Sequence, residues 1–434
     1  MNETASTKFK EWKGLVQRFG SPIYVYDLDK VQQRAQELKD ALPENSRILY
    51  SLKSNPLPSL VKAAVSAGCV PEVCSSNELS VGVDVNGDVD CMLYSGPGKN
   101  SEEMRFAIEN GVRKFSAESW IDLERLNKVS EESKSKISVL LRVNPSAELK
   151  SGLAMSGTAS QFGFEEQDLI DQAARIDTLS PNVSVDGFHV YFGTQIPNQE
   201  SLLESFASGI ASIELLSAKL DVSPKVIDLG GGFPWHYAKE GEQVKLDKLK
   251  TGLTDLLSKR VYSAGADVWF EAGRYISASS GTLISTVMDI KASKNNTRFV
   301  VLDSGINHLG GMSGVGRIPR GYVTLYDKDK SVTSVDVNNN SDIKRTSLVG
   351  PLCSPLDCLS RNIKLDGLRV GDIVAIPNVG AYGATASLIG FLTRPAPIEI
   401  STMGGEVVES YQLRTGHQKL ELVDFNYMNE ISLV

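Results

Sequence analysis

The sequence predicts an α/β barrel of the (β/α)8 type, TIM-like, followed by an all-β domain of sandwich or barrel-like form. Three observations predict it. From about residue 30 to 275, short β-branched apolar runs alternate with amphipathic helical segments, as in a parallel sheet. That span, roughly 250 residues, is the usual size of such a barrel. After Arg274, helical patterning gives way to successive strand-like runs. The full 434 residues exceed what one hydrophobic core usually organises. The barrel is therefore expected at 30–275, with 1–29 and 276–434 forming the β domain.

In chain order, Ile23–Tyr26 reads as a strand placed with the β domain. Barrel strands are expected at Ile48–Leu52, Lys136–Val143, Val185–Phe192, Val226–Leu229 and Val268–Glu271. Helices are expected at Asp29–Leu42, Pro58–Ala67, Ser101–Asn110, Ser119–Lys128 and Ser201–Ala218. In the last, Leu202, Leu203, Phe206, Ile210, Ile213, Leu215 and Leu216 recur at helical spacing. Beyond the barrel, strands are expected at Thr282–Lys291, Arg298–Leu302, Gly321–Tyr326, Ile373–Ile376 and Pro397–Ile400. Turn-forming clusters at Ser293–Asn296 and Asn338–Asp342 separate them, with Asn338–Asn340 a hairpin tip.

Composition excludes several functions. The chain has 45 Lys+Arg against 53 Asp+Glu, a net charge of -8, which argues against nucleic-acid binding. It leaves room for a local anion site, because a few amides and one or two Arg hold a phosphate on an acidic protein. Five cysteines without zinc spacing, a polar N-terminus (Met1–Lys13) and no long apolar run predict a cytoplasmic protein with no membrane span. Four histidines argue against a metal centre built on histidine clusters.

Five segments carry chemistry. In Tyr50-Ser51-Leu52-Lys53, a strand delivers Lys53 to the C-terminal end of a barrel, where a Lys can lose its proton and form a Schiff base. In Ile227-Asp228-Leu229-Gly230-Gly231-Gly232, a strand runs into three glycines whose amides can approach an anion. Neither a P-loop lysine nor GxGxxG spacing is present. Phe270-Glu271-Ala272-Gly273-Arg274 offers a carboxylate for a protonated ring nitrogen and a cation for a phosphate. Gly350-Pro351-Leu352-Cys353-Ser354-Pro355-Leu356-Asp357 places a Cys in a tight loop, and Gly380-Ala381-Tyr382-Gly383 flanks a Tyr with small residues. Each alone also fits a plainer role: a solvated Lys, a tight glycine turn, a structural Glu–Arg pair, a buried small hydrophobe, an ordinary turn.

Taken in this order, the five segments resemble the fold-type III pyridoxal-phosphate decarboxylases, which include diaminopimelate and ornithine decarboxylases. Val73-Cys74-Ser75-Ser76-Asn77-Glu78-Leu79, Ser95-Gly96-Pro97-Gly98-Lys99, Arg142-Val143-Asn144-Pro145 and Gln161-Phe162-Gly163 add to the resemblance, which runs from about Ile23 to Pro397. It implies pyridoxal 5'-phosphate as cofactor, an alanine racemase-like architecture and a homodimer with active sites at the subunit boundary. It implies catalytic roles for Lys53, Glu271 and Cys353, the last donated by the partner subunit to return a proton to Cα. It implies cofactor contacts from Lys53, Tyr191, Thr194, Gly230, Gly231, Gly232, Glu271, Gly273, Arg274 and Tyr382. Substrate contacts are expected from Glu72, Arg142, Ser354, Asp357 and Arg317. Related racemases set Arg against the ring nitrogen, so Glu271 favours decarboxylation over racemisation.

The departures narrow the substrate. Tyr191-Phe192-Gly193-Thr194 stands where the family usually has His-Ile-Gly-Ser, so Tyr191 is expected to stack on the cofactor, with His189 on the same side of the strand. Glu72 replaces Asp, and Gln161 replaces Lys. Ser354 follows Cys353, where diamine-processing members place an acid for the distal ammonium; burying an ammonium without such a partner is costly. A narrower set of motifs, including His189-Val190-Tyr191 and Gly193-Thr194-Gln195, resembles the butirosin-pathway branch of this family. That branch decarboxylates a glutamyl group tethered to an acyl carrier protein. Decarboxylation of a carrier-bound or otherwise modified amino acid in secondary metabolism is the leading expectation. The alternatives are a free amino acid (diaminopimelate, lysine or ornithine) and racemisation. Lys99, Arg317 and Arg320 are the cations expected to meet a carrier.

Overall fold

The structure is a computed structural model. It describes residues 3–86, 89–145, 160–259, 265–293, 297–313, 324–327, 330–333, 345–363 and 367–417. Arg317, Arg320, Asn338–Asn340 and the start of the strand expected at Gly321–Tyr326 lie outside the described residues.

Nineteen strands form two sheets among the described residues. They are β1 (Ile23–Asp27), β2 (Ser46–Ser51), β3 (Val70–Val73), β4 (Leu93–Tyr94), β5 (Lys114–Ala117), β6 (Ile137–Asn144), β7 (Phe164–Glu165), β8 (Val183–Val190), β9 (Val226–Asp228) and β10 (Asp267–Glu271). Next come β11 (Gly281–Ala292), β12 (Thr297–Leu302), β13 (Thr324–Asp327), β14 (Lys330–Thr333), β15 (Arg345–Val349), β16 (Cys358–Ile363), β17 (Ile373–Ile376), β18 (Ile398–Met403) and β19 (Glu406–Gln412). The first sheet runs β5-β4-β3-β2-β10-β9-β8-β6 and closes through β5–β6 into an eight-stranded parallel barrel. The seam between first and last strands pairs Leu49 with Glu271. The second sheet runs β14-β13-β17-β11-β1-β18-β19, with β12, β15 and β16 branching from β11. In it β1 pairs antiparallel with β11 and parallel with β18, as placed from the sequence.

The helices start where capping chemistry dictates. These are α1 (Glu3–Phe19), α2 (Leu28–Ala41), α3 (Pro58–Ser66), α4 (Ser76–Asn86), α5 (Ser101–Glu109), α6 (Trp120–Glu132), α7 (Glu166–Asp171), α8 (Gln199–Leu220) and α9 (Leu249–Ser258). Asn100 and Glu103 form a reciprocal capping box on α5, and the Asn198 side chain accepts from Ser201 N at the start of α8. Helix α8 buries Leu202, Phe206, Ile210, Ile213 and Leu216 against the barrel. Gly209 permits the close approach, since a Cβ there would sit 2.8 Å from Val190 Cγ2. Burial of one such Leu or Phe contributes ~1.5–3 kcal/mol.

Helix α1 was not foreseen. Its Phe9, Trp12, Leu15, Val16 and Phe19 recur at helical spacing and cover Ile23, Val25, Ile284 and Ile400 of the second sheet. Polar residues between them hid the stripe. Strands β3, β4 and β5 were also not anticipated. They are two to four residues long, too short to show a period.

Candidate active site

Strand β2 ends at Ser51, and one 3-10 turn (Leu52–Ser54) carries Lys53 over the barrel rim. Pro58 then opens α3, where its missing N–H costs nothing. Lys53 Nζ lies 3.1 and 3.3 Å from the two carboxylate oxygens of Glu72 on β3. Glu72 is buried and also accepts from the Ser95 hydroxyl. Burial pulls the Lys53 pKa down, but Glu72 and Glu271 outweigh it and raise it well above the usual value. Burial pushes Glu72 up, but the Lys53 charge and the Ser51 and Ser95 hydroxyls outweigh it and lower its pKa. The pair is therefore ionised at neutral pH. In this arrangement Glu72, expected from the sequence to meet substrate, is engaged with Lys53.

Glu271 ends β10 and is 5% exposed. Burial, with help from Glu72 and Asp228, raises its pKa well above the carboxylate range, although Lys53 and Arg142 oppose the shift. Its Oε1 makes no hydrogen bond and lies 3.2 Å from His189 Nε2. Arg274 follows Gly273; its Nε is buried without a partner, and its guanidinium sits 4.6 Å from the Tyr382 ring centroid. Tyr382 is held in a left-handed conformation (φ 52°). Its N donates to Ser54 O at 2.7 Å, and its O accepts from Gly311 N and the Tyr237 hydroxyl. Lys53, Tyr191, Thr194, Gly232, Glu271, Gly273, Arg274 and Tyr382 line one cavity.

The glycines are required by close backbone passage. A Cβ on Gly231 would collide with Glu271 O, and one on Gly232 (φ +103°) with the Ile196 side chain. A Cβ on Gly273 would sit 2.8 Å from Ser54 Cβ. Gly230 differs from expectation. Its N donates to Asp228 Oδ1 at 2.9 Å and its O accepts from Glu271 N at 2.7 Å, so its backbone is committed to shaping the turn.

Arg142 is not free for substrate either. It pairs with Glu118 at 2.7 Å and sits over the Phe162 ring (4.9 Å) and the Tyr191 ring (5.9 Å), bracing the aromatic wall. Lys99 is 2% exposed and ion-paired with Asp122 at 2.8 Å, which removes it as a surface cation. In the cysteine loop, Cys353 is exposed and does not line the cavity of its own chain. The Ser354 hydroxyl accepts from Leu356 N at 3.2 Å. Asp357 is buried, and its carboxylate accepts from Ile306 N and Leu352 N at 2.9 and 2.8 Å. It staples the loop and is not available to a substrate. Sequence reading missed Asp228 and Ser116, which meet Glu271 and His189 inside the barrel; their polar identity on buried strands was the available signal.

A cleft of about 780 Å³ between α1 and the second sheet is larger than this cavity, but it gathers none of these groups. Converging polar groups and shifted pKa values mark the smaller one. Its acid and its cation each keep an unsatisfied buried atom, and a lysine amine shares the space. That set fits pyridoxal phosphate, with Glu271 for a protonated ring nitrogen, Arg274 for the phosphate and Lys53 for the carbonyl. The fold and site thus define a pyridoxal-phosphate enzyme of the barrel type.

Comparison with known proteins agrees. The family model for the pyridoxal-dependent decarboxylases, pyridoxal binding domain, matches residues 28–278. The chain belongs to this family, with pyridoxal phosphate as its cofactor, and it is an amino-acid decarboxylase. It is 29% identical over 408 residues to an L-glutamyl-[BtrI acyl-carrier protein] decarboxylase of Niallia circulans, covering 93% of this chain and 92% of the relative. It is 28% identical over 376 residues to a 2-[(L-alanin-3-ylcarbamoyl)methyl]-2-hydroxybutanedioate decarboxylase of Staphylococcus aureus, covering 86% and 92%. It is 27% identical over 395 residues to a diaminopimelate decarboxylase of Zymomonas mobilis, covering 90% and 89%. Its fold matches the crystal structure of Helicobacter pylori diaminopimelate decarboxylase with a TM-score of 0.79 at 24% identity, over 93% of this chain and 96% of that one. No helix among the described residues is long and apolar enough to cross a membrane.

Proposed function

We propose that the chain releases CO2 from the α-carboxyl of an amino acid whose far end is acylated, either tethered to an acyl carrier protein or otherwise modified. One observation carries this. Among the described residues, the loop that follows Cys353 offers no carboxylate to a distal ammonium. Position 354 is Ser, and Asp357 is consumed by two backbone N–H groups. The Niallia and Staphylococcus relatives are both named for an amino acid joined through an acyl group, which supports the reading.

Bound pyridoxal phosphate supplies the electron sink for the pair left at Cα when CO2 departs. Lys53 would hold the cofactor at its carbonyl, and Glu72 pairs with the amine when it is free. Glu271 keeps a proton on the ring nitrogen. Arg274, with the Gly231, Gly232 and Gly273 backbone, binds the phosphate, joined by Thr194 and Tyr382. Tyr191, braced by Arg142, would cover the ring.

Cys353 of a second copy returns the proton to Cα. Its exposure supports a homodimer, as does its exposed apolar surrounding. Leu356 is 52% exposed beside it, and Leu388, Phe391 and Leu392 are exposed on the segment that Arg394 ties to Pro351 O. A second copy that covers these residues also seats the cysteine at the substrate.

The test compares CO2 release from glutamyl-loaded carrier protein with release from free diaminopimelate, lysine and ornithine. Faster turnover of the loaded carrier is expected. Equal or faster turnover of a free diamino acid overturns the substrate reading, and inverted product without CO2 would show a racemase.

A further inference from the structure

His189, Asp228 and Glu271 bring one ligand atom each within 4.8 Å inside the barrel. All three are at most 5% exposed. The His189 Nδ1 lies 2.9 Å from the Ser116 hydroxyl, and its Nε2 lies 3.2 Å from Glu271 Oε1. Neither Nε2 nor Oε1 has a hydrogen-bond partner, and each is the other's polar neighbour at ion-pair distance. Ser116 is tied down in turn, its carbonyl accepting from the buried Lys99 ammonium at 2.9 Å.

The chemistry of these atoms constrains one another. Two lone pairs cannot face each other at 3.2 Å in a dry interior without a proton between them. When Glu271 is ionised against a protonated ring nitrogen, that proton must belong to His189 Nε2. The Nδ1 is then an acceptor, and the Ser116 hydroxyl donates to it. Burial, with the charges of Arg142, Lys53 and Lys99, lowers the His189 pKa well below the usual value and disfavours its doubly protonated form.

We infer that His189 is a positioning residue: as the neutral Nε2–H tautomer fixed by Ser116, it donates to Glu271 Oε1 and holds that carboxylate ionised toward the cofactor's ring nitrogen. The other charged groups that face the cluster are Asp228, Glu72, Arg142 and Lys53. Asp228 contributes the remaining carboxyl, one of whose oxygens is held by Gly230 N.

This inference rests on the reading that Glu271 meets the ring nitrogen. That reading fails separately if Glu271→Gln leaves the 15N resonance of labelled cofactor unmoved. The chain has four histidines, so the ring nitrogens of His189 are assignable by comparing 15N-labelled holoenzyme with His189→Leu. Between pH 6 and 8.5, His189 is expected neutral with its proton on Nε2. In His189→Leu, the cofactor nitrogen is expected to shift toward its unprotonated position, with kcat lower by about 10- to 100-fold and KM within about threefold. His189→Gln retains a donor at the Nε2 position and is expected to recover most of the loss. A proton on Nδ1, a cationic ring, a stoichiometric transition metal bound at the cluster, or equal behaviour of the Leu and Gln variants would overturn the inference.

Discussion

The barrel rim and the cysteine loop solve opposite problems. At the rim, buried charges are answered by neighbours within the same chain: Glu72 by the exposed Lys53, Arg142 by Glu118, Lys99 by Asp122. At the loop, Cys353 and Leu356 are exposed, and the carboxylate of Asp357 is engaged by the backbone of Leu352 and Ile306. The rim draws its groups from one chain, with Glu271 Oε1 and Arg274 Nε left without hydrogen-bond partners, and the loop is the part proposed to act on a second copy. A buried charge left without its partner is far costlier than an exposed thiol, so perturbations of the rim are expected to dominate.

The largest effect is expected at Lys53. Lys53→Ala should remove the visible absorbance of the bound cofactor and lower turnover by on the order of 10⁴-fold. A retained cofactor band would break the assignment of Lys53 to the cofactor. Next comes Glu271→Arg, which should suppress CO2 release by about 10²-fold or more while cofactor binding changes far less. Parallel losses in both would reassign Glu271 to binding.

On the loop, Cys353→Ala should keep CO2 release but slow or misdirect protonation, seen as altered deuterium incorporation in product formed in D2O. Unchanged turnover and product would remove the loop from the chemistry. Asp357→Ala should destabilise by ~1–3 kcal/mol, read by denaturant unfolding, because two part-buried N–H groups lose their buried acceptor.

A pH effect sharpens the contrast from the stability side. Asp228 and Glu271 are acids whose pKa folding raises, that of Asp228 to about 7, chiefly through burial. Each binds its proton more tightly folded than unfolded. Each therefore withdraws stability as pH climbs from the ordinary carboxylate range to the raised value. A protonated ring nitrogen beside Glu271 offsets that loss. The melting-temperature gap between holoenzyme and cofactor-free protein should widen from pH 5 to 7.5, at ~1 °C per kcal/mol for a chain of 434 residues. A constant gap would separate the ring nitrogen from this cluster.

The barrel was legible where strands were long and apolar, as at Val183–Val190, and the second sheet where Ile373–Ile376 forms a run of four. It was not legible at Leu93–Tyr94, whose membership depends on neighbours on both sides. Lys53, Glu271 and Arg274 stood out because each is a charge at a strand exit. The engagement of Glu72, Arg142 and Asp357 did not. Whether a carboxylate or a guanidinium is free or already spent depends on partners distant in sequence, such as Ile306 for Asp357.

The seam of the barrel has a consequence for synthesis. Lys53 follows the first barrel strand and Glu271 ends the last, and these two strands are hydrogen-bonded neighbours. A nascent chain leaving the ribosome exposes Lys53 early, and Glu271 and Arg274 only once β10 has emerged. On the roles proposed for these residues, cofactor capture is expected to come late, after the barrel has closed.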